Sequence, residues 1–156
     1  MNYYINIGTN IGNRKANIDR AARLIEQRFG GKVVISSPFD SAPWGFESEN
    51  RFLNVGLKLA TTEAPEDVLH ALHSIEIEMG SPCHRNADGS YADRIIDIDI
   101  IAIDDLVIDS ESLVVPHLHI AERDFVLAPM AEIAPRWRHP LTGLTAAEML
   151  AALAAR

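Results

Sequence analysis

Three features of the chain predict an α+β fold: a mostly antiparallel sheet in the ferredoxin-like arrangement, with helices on both faces. Strand-like and helix-like segments follow one another in the order β-α-β-β-α-β, then a hairpin and C-terminal helices. Only a loop separates the second and third strands, which argues against the helical crossovers of a doubly wound parallel sheet. The length, 156 residues, fits a single domain over 1–156.

The first strand is Asn2 to Ile7, where β-formers alternate. Gly8-Thr9-Asn10-Ile11-Gly12-Asn13 reads as a turn, with Asn13 placed to cap a helix. Ile18, Ala21, Ala22, Ile25 and Phe29 then recur at helical spacing, and Gly30-Gly31 stops that helix. Lys32 to Ser37 reads as the second strand and Pro38 to Glu49 as an irregular loop. Phe52 to Thr61 is the third strand: Leu53, Val55, Leu57 and Leu59 share the core side, while Phe52, Asn54 and Lys58 share the other. Pro65 suits a helix start, Val68, Leu72, Ile75 and Met79 form that helix's stripe, and Gly80 ends it. Ser81 to Asp93 is polar and aperiodic and reads as a mobile loop. Arg94 to Ile103 is a strand, Asp104-Asp105 a turn, and short strands follow around Leu106–Ile108 and Leu113–Val115. Arg123 to Ile133 is partly helical, and Thr145 with Glu148 makes a capping box for an Ala-rich last helix.

Composition narrows the function classes. Apolar residues make up 47% and charged residues 23%, near a globular average, which excludes a disordered chain. Aspartates interrupt even the most apolar stretch, Ile95 to Ile108, so no membrane span is expected. Met1-Asn2-Tyr3-Tyr4 lacks the basic region of a signal peptide, and a single cysteine, Cys83, allows no internal disulfide. A cytoplasmic monomer is the expectation. Fourteen basic against 22 acidic residues give a net charge of −8, the wrong sign for a general nucleic-acid binder. An anionic small ligand would need a local basic cluster or a metal ion.

Both are present. In Arg94-Ile95-Ile96-Asp97-Ile98-Asp99-Ile100, residues two apart point the same way, so Asp97 and Asp99 share a face opposite Ile96, Ile98 and Ile100. Two carboxylates about 7 Å apart at Cα repel one another unless a cation lies between them, and Mg²⁺ commonly takes one or two carboxylates plus phosphate oxygens. A plain solvated strand face is the alternative, although aspartate is poor in strands. Val115-Pro116-His117-Leu118-His119 with Arg123-Asp124-Phe125 forms a second cluster. Arg123 suits a bidentate phosphate grip and His117 can donate to a phosphate oxygen; taken alone, both also read as surface residues. Phe52 and Asn54 offer an aromatic plate beside an amide that donates and accepts, which suits a flat heterocycle; ordinary core packing is the alternative. Gly8 to Gly12 matches neither a dinucleotide fingerprint nor a Walker loop.

In this order and spacing, Gly8-Thr9-Asn10, Ala42-Pro43-Trp44-Gly45, Phe52-Leu53-Asn54, Arg94 to Asp99, Val115-Pro116-His117 and Arg123-Asp124-Phe125 resemble the 6-hydroxymethyl-7,8-dihydropterin pyrophosphokinase family from the first strand to about Pro135. The resemblance implies transfer of the β,γ-pyrophosphoryl unit of ATP to the pterin hydroxymethyl group, releasing AMP, in folate biosynthesis. It implies that Asp97 and Asp99 hold two Mg²⁺ ions, and that Arg94, His117 and Arg123 contact the ATP phosphates. Glu76 and Leu118 would lie near the nucleoside. Phe52 and Phe125 would sandwich the pterin, with Asp97 facing it. Asn54, with Ser41, Ala42, Pro43 and Trp44, would read the pterin's polar edge, and Tyr91 would sit on a closing loop. Family arginines expected just past the second helix are replaced by Ser81 and Cys83, so Arg85 or His84 is expected to supply the charge. A pterin- or nucleotide-binding relative with impaired transfer and a metal-dependent phosphohydrolase are the alternative readings.

Overall fold

A computed structural model describes residues 1–42, 51–80 and 95–156. The predictions for 43–50 and 81–94 (Pro43, Trp44, the 81–93 loop with Ser81, Cys83, His84, Arg85 and Tyr91, and Arg94) lie outside the described residues.

The order of elements is β1 (Asn2–Thr9), α1 (Arg14–Phe29), β2 (Val34–Ile35), β3 (Phe39–Ser41), β4 (Phe52–Ala60), α2 (Pro65–Glu78), β5 (Asp97–Ile103), β6 (Ile108–Asp109), β7 (Val114–Val115), a 3₁₀ turn (Ile120–Glu122), α3 (Asp124–Ile133) and α4 (Ala146–Ala154). In the main sheet β2 and β3 both pair with β4, followed by β1 and β5, all antiparallel. Counting β2 and β3 as two pieces of one edge strand, this is the ferredoxin-like order that the sequence predicts.

Local chemistry sets the ends. Asn13 accepts from the Ala16 N–H at 3.1 Å to open α1, and Gly30, at φ +76, closes it in the left-handed conformation. Pro65 stands in the first turn of α2, whose cap is Met79, followed by Gly80 at φ +91. Thr145 and Glu148 bond reciprocally as the capping box of α4.

Four strand expectations are corrected. The second strand covers only Val34–Ile35, not Lys32 to Ser37. The ladder breaks after it because the Gly56 N–H donates to the Ser36 hydroxyl, at 2.8 Å, instead of to a backbone carbonyl. The segment read as irregular from Pro38 to Glu49 contains β3, which pairs Phe39 with Asn54 and Ser41 with Phe52. The strand near Leu106–Ile108 covers only Ile108–Asp109. The strand read from Arg94 begins at Asp97.

The sheet separates two cores. One face carries Tyr3, Ile5, Ile7, Val55, Leu57, Leu59, Ile98 and Ile100 against the stripes of α1 and α2. Across the sheet, α3, α4 and Trp137 enclose Ile101, Ala102, Val126, Leu127, Met130 and Met149. A bulge opposite Tyr4 and Ile5 leaves Ile101 without a pairing partner in the ladder, so Ile100 faces the first core and Ile101 and Ala102 the second.

Candidate functional site

On the second sheet face Ile101 and Ala102 pack under α3, α4 and Trp137. Residues paired across antiparallel strands point the same way. Gly8 of β1 pairs with Asn54 on one side and Asp97 on the other; Asn6 pairs likewise with Gly56 and Asp99. Asn54, Gly8 and Asp97 therefore form one row across three strands, and Gly56, Asn6 and Asp99 the next. Phe52 lies beyond Asn54 on the same face. The pairing joins the two carboxylates and the aromatic–amide pair, which the sequence shows only as separate segments.

Gly8 has a steric reason to be glycine. A Cβ there would stand 2.9 Å from Asn54 Oδ1 and 3.5 Å from Phe52 Cδ1. Asn54 is buried, and its amide nitrogen donates to Ser41 Oγ at 2.9 Å and to the Phe39 carbonyl at 3.3 Å. The nitrogen is held by β3, and Oδ1 stands over the bare backbone of Gly8. Arg14 and Arg51 both pair with Asp40, tying the ends of β3 and β4 to the start of α1. Ser41 is buried and Ala42 exposed at the end of β3.

Asp97 and Asp99 are both half-buried, while Ile96, Ile98 and Ile100 behind them are 0%, 2% and 4% exposed. The alternation places the carboxylates as expected. Glu76 of α2 is buried and accepts the Ile98 N–H at 2.9 Å. That N–H lies between the two aspartates, so Glu76 braces the outer edge of β5 behind them. On the other flank, Asn17 donates to the Ile11 carbonyl at 2.9 Å and to Thr9 Oγ1 at 3.2 Å, and its nitrogen lies 3.4 Å from the Ile95 carbonyl. It ties the β1–α1 turn to the chain entering β5.

The second cluster docks beside β5. The His117 N–H donates to the Ile101 carbonyl at 2.8 Å, after a cis Val115–Pro116 bond. The His119 N–H donates to His117 Nδ1 at 3.1 Å, so the neutral ring carries its proton on Nε2. Burial, then the charges of Arg123 and His119, push the His117 pKa down to about 4. At neutral pH this histidine is a neutral Nε2–H donor. Arg123 is buried, with its guanidinium carbon 5.7 Å from the centre of the Phe125 ring. Leu118, 74% exposed, offers a bare apolar side chain next to His117.

Sequence reading missed Asn6. It is buried in mid-strand, and its amide donates to the Phe125 carbonyl at 3.0 Å. An asparagine between isoleucines in a strand is the one signal that marked it.

Comparison with known proteins shows the family. Residues 4–135 match the family model for 7,8-dihydro-6-hydroxymethylpterin-pyrophosphokinase (HPPK). The 2-amino-4-hydroxy-6-hydroxymethyldihydropteridine pyrophosphokinase of Porphyromonas gingivalis (strain W83) is 37% identical over 138 residues, covering 88% of this chain and 92% of that protein. The protein of the same name from Aquifex aeolicus is 36% identical, covering 88% and 83%. A solved Plasmodium falciparum HPPK-DHPS chain shares the fold at TM-score 0.71 and 14% identity, over 99% of this chain and 44% of the longer one. This chain spans less than half of that solved chain. With these matches, the chain belongs to the HPPK family, ATP-dependent diphosphotransferases that pass pyrophosphate to hydroxymethyldihydropterin in folate synthesis.

Proposed function

We propose that the second sheet face is where this reaction takes place, with the pterin over Gly8 and the triphosphate reaching from Asp97 and Asp99 toward His117 and Arg123. The observation that carries the reading is the pairing of Gly8 with Asn54 on one side and Asp97 on the other. It sets a site for a flat polar ring beside a pair of carboxylates.

Each residue has a physical task. Phe52 and Phe125 offer rings for stacking, and the pterin lies between them. Asn54 Oδ1 accepts from the pterin's polar edge, aided by Ser41, Ala42, Pro43 and Trp44. Arg123 and Arg94 neutralise phosphate charge, and His117 donates its Nε2 proton to a phosphate oxygen. Leu118 and Glu76 lie on the nucleoside side, Tyr91 is assigned to ATP binding and Arg85 to the transfer step. The donor set of Asp97 and Asp99, hard oxygen ligands on one strand face, fits two Mg²⁺ ions. When bound, the ions neutralise triphosphate charge and lower the cost of bringing the pterin hydroxyl to the β-phosphorus. Positioning and charge neutralisation do the rest, because phosphoryl-type transfer needs little covalent help.

Residues 1–156 act as one pyrophosphokinase-like domain, and α4 supports this because it packs on α3 in the second core. We place the chain in the cytoplasm as a monomer that binds neither nucleic acid nor membrane. Its net charge of −8 supports the exclusion of nucleic acid. The deciding experiment is AMP release from ATP with and without the pterin alcohol. AMP only with pterin is the expected result. Phosphate release without pterin would point to a hydrolase, and no turnover to a binding protein.

A further inference from the structure

We propose that Asn6 is a positioning residue for the pterin: its side chain replaces a hydrogen bond missing from α3 and so holds Phe125 in place. In an α-helix the Phe125 carbonyl would accept from the N–H of residue 129. That residue is Pro129, buried inside α3, which has no N–H and whose ring crowds the carbonyl four residues back. The carbonyl left over belongs to the residue that carries the stacking ring. Asn6 Nδ2 reaches it at 3.0 Å from a strand 119 residues away in sequence. A carbonyl only accepts, which settles which end of the amide faces it.

The surroundings make this contact a docking point. Asn6 pairs with Gly56 on β4 and with Asp99 on β5, on the face that α3 covers. A Cβ at Gly56 would stand 3.0 Å from Pro129 Cβ and 3.3 Å from the Pro129 carbonyl carbon, so α3 meets the sheet at bare backbone. Pro129 thus brings the helix down on Gly56 and deprives Phe125 of a donor, and Asn6, directly beside Gly56, supplies one. The first turn of α3, with Arg123 just ahead of it, is thereby referenced to β1, the strand that contributes Gly8 to the pterin row and Asn6 to the Asp99 row.

The inference rests on Phe125 stacking on pterin, as read above, and the test separates the two. Binding of the pterin alcohol is titrated by fluorescence with a non-hydrolysable ATP analogue present, and the analogue is titrated by itself. Asn6→Leu keeps the branched shape and the number of heavy atoms, removes the donor and leaves no space for water to take over the bond. Pterin Kd is expected to rise about fivefold, the scale of one hydrogen bond, with analogue Kd within about twofold of the parent. Adding Pro129→Ala gives the helix its own N–H and is expected to return most of the loss. If Asn6→Leu does not fold, Asn6→Val is read in the same way. Unchanged pterin Kd, equal weakening of pterin and analogue, or a loss that Pro129→Ala does not reverse each overturns the role of Asn6. Phe125→Ala is the control: if it leaves pterin Kd unchanged, the stacking reading fails and takes this inference with it. If it weakens pterin while Asn6→Leu does not, only the role of Asn6 fails.

Discussion

The two faces of the sheet are made by the same strands and have opposite jobs. On β1, Tyr3, Ile5 and Ile7 are 0%, 2% and 0% exposed against α1 and α2, while Asn6 and Gly8, one step away, floor the candidate site. On β5, Ile98 and Ile100 are buried and Asp97 and Asp99 face out beside them. A strand shows alternate side chains to opposite faces, so selection for packing and selection for chemistry act on interleaved positions with little interference. Damage on one face should therefore unfold the protein, and damage on the other should silence it.

The largest expected separation sets Asp97→Ala or Asp99→Ala against Leu57→Ala. Either aspartate variant should lower turnover by roughly 10²–10³-fold, the scale of one lost electrostatic group aimed at developing charge. The melting temperature should hold or rise, because a like-charge repulsion is relieved. Leu57, fully buried, should cost about 2–5 kcal/mol of stability when cut to alanine, with turnover per folded molecule nearly unchanged. Thermal melts and steady-state rates at saturating Mg²⁺ decide this. Near-parental turnover in both aspartate variants would break the comparison.

His117 tests whether the site side also pays in stability. Its pKa in the fold, about 4, lies below the ordinary 6.5 because burial, Arg123 and His119 all oppose the cation. Above pH 6.5 neither folded nor unfolded chain is protonated, and this group is neutral to stability. Between 6.5 and 4 the unfolded chain takes up a proton that the folded chain refuses, so stability falls with pH until both are charged. The full loss is on the order of 3 kcal/mol at most, less whatever residual solvent exposure relieves. His117→Asn keeps an acceptor for the His119 N–H and should flatten the pH dependence over this window in denaturant unfolding at pH 7 and pH 4. An unchanged slope would mean that the ring is charged in the fold.

Gly8→Ala is expected to act in between, because it touches packing and site at once. The added Cβ meets Asn54 Oδ1 at 2.9 Å, and that amide cannot swing away without breaking its bonds to Ser41 and Phe39. A cost of about 1–3 kcal/mol in stability is expected, with a loss of pterin affinity and an unchanged affinity for ATP analogue. Melts and paired titrations measure both.

How much of this the sequence shows depends on the range of the interaction. Alternation in Phe52 to Ala60 and Asp97 to Ile103 is local, so the faces of β4 and β5 were legible, and so were the caps at Asn13 and Thr145. The three residues of β3 follow a proline and are too few to show a period, and their strand character comes from pairing with β4. Gly8 reads as a turn residue, whereas its role is set by Asn54 and Phe52 on the neighbouring strand. The link from Asn6 to Phe125 depends on a helix bond lost at Pro129 and crosses 119 residues, and no local pattern encodes it.

The smallest expected effect makes the finest distinction, between aromatic rings on the two kinds of surface. Tyr3 is fully buried on the core face, and its hydroxyl donates to the Glu63 carbonyl at 2.7 Å. Phe52 lies half-buried on the site face, beyond Asn54 and beside the Cα of Gly8. Removing the Tyr3 ring takes away packing and leaves the Glu63 carbonyl without its donor, so Tyr3→Ala should cost about 3–5 kcal/mol of stability, the usual range for a buried ring. Phe52→Ala removes a ring that already touches solvent, so stability should move far less. Its stacking value, about 0.5–1.5 kcal/mol beyond area burial, should appear instead as a several-fold weaker pterin affinity with ATP-analogue affinity unchanged. Melts of both variants and a pterin titration of Phe52→Ala give the three numbers. If Phe52→Ala lowers the melting temperature as much as Tyr3→Ala and leaves pterin binding intact, Phe52 is a core residue and the boundary between the two faces lies closer to Asp97 than the Gly8 row implies.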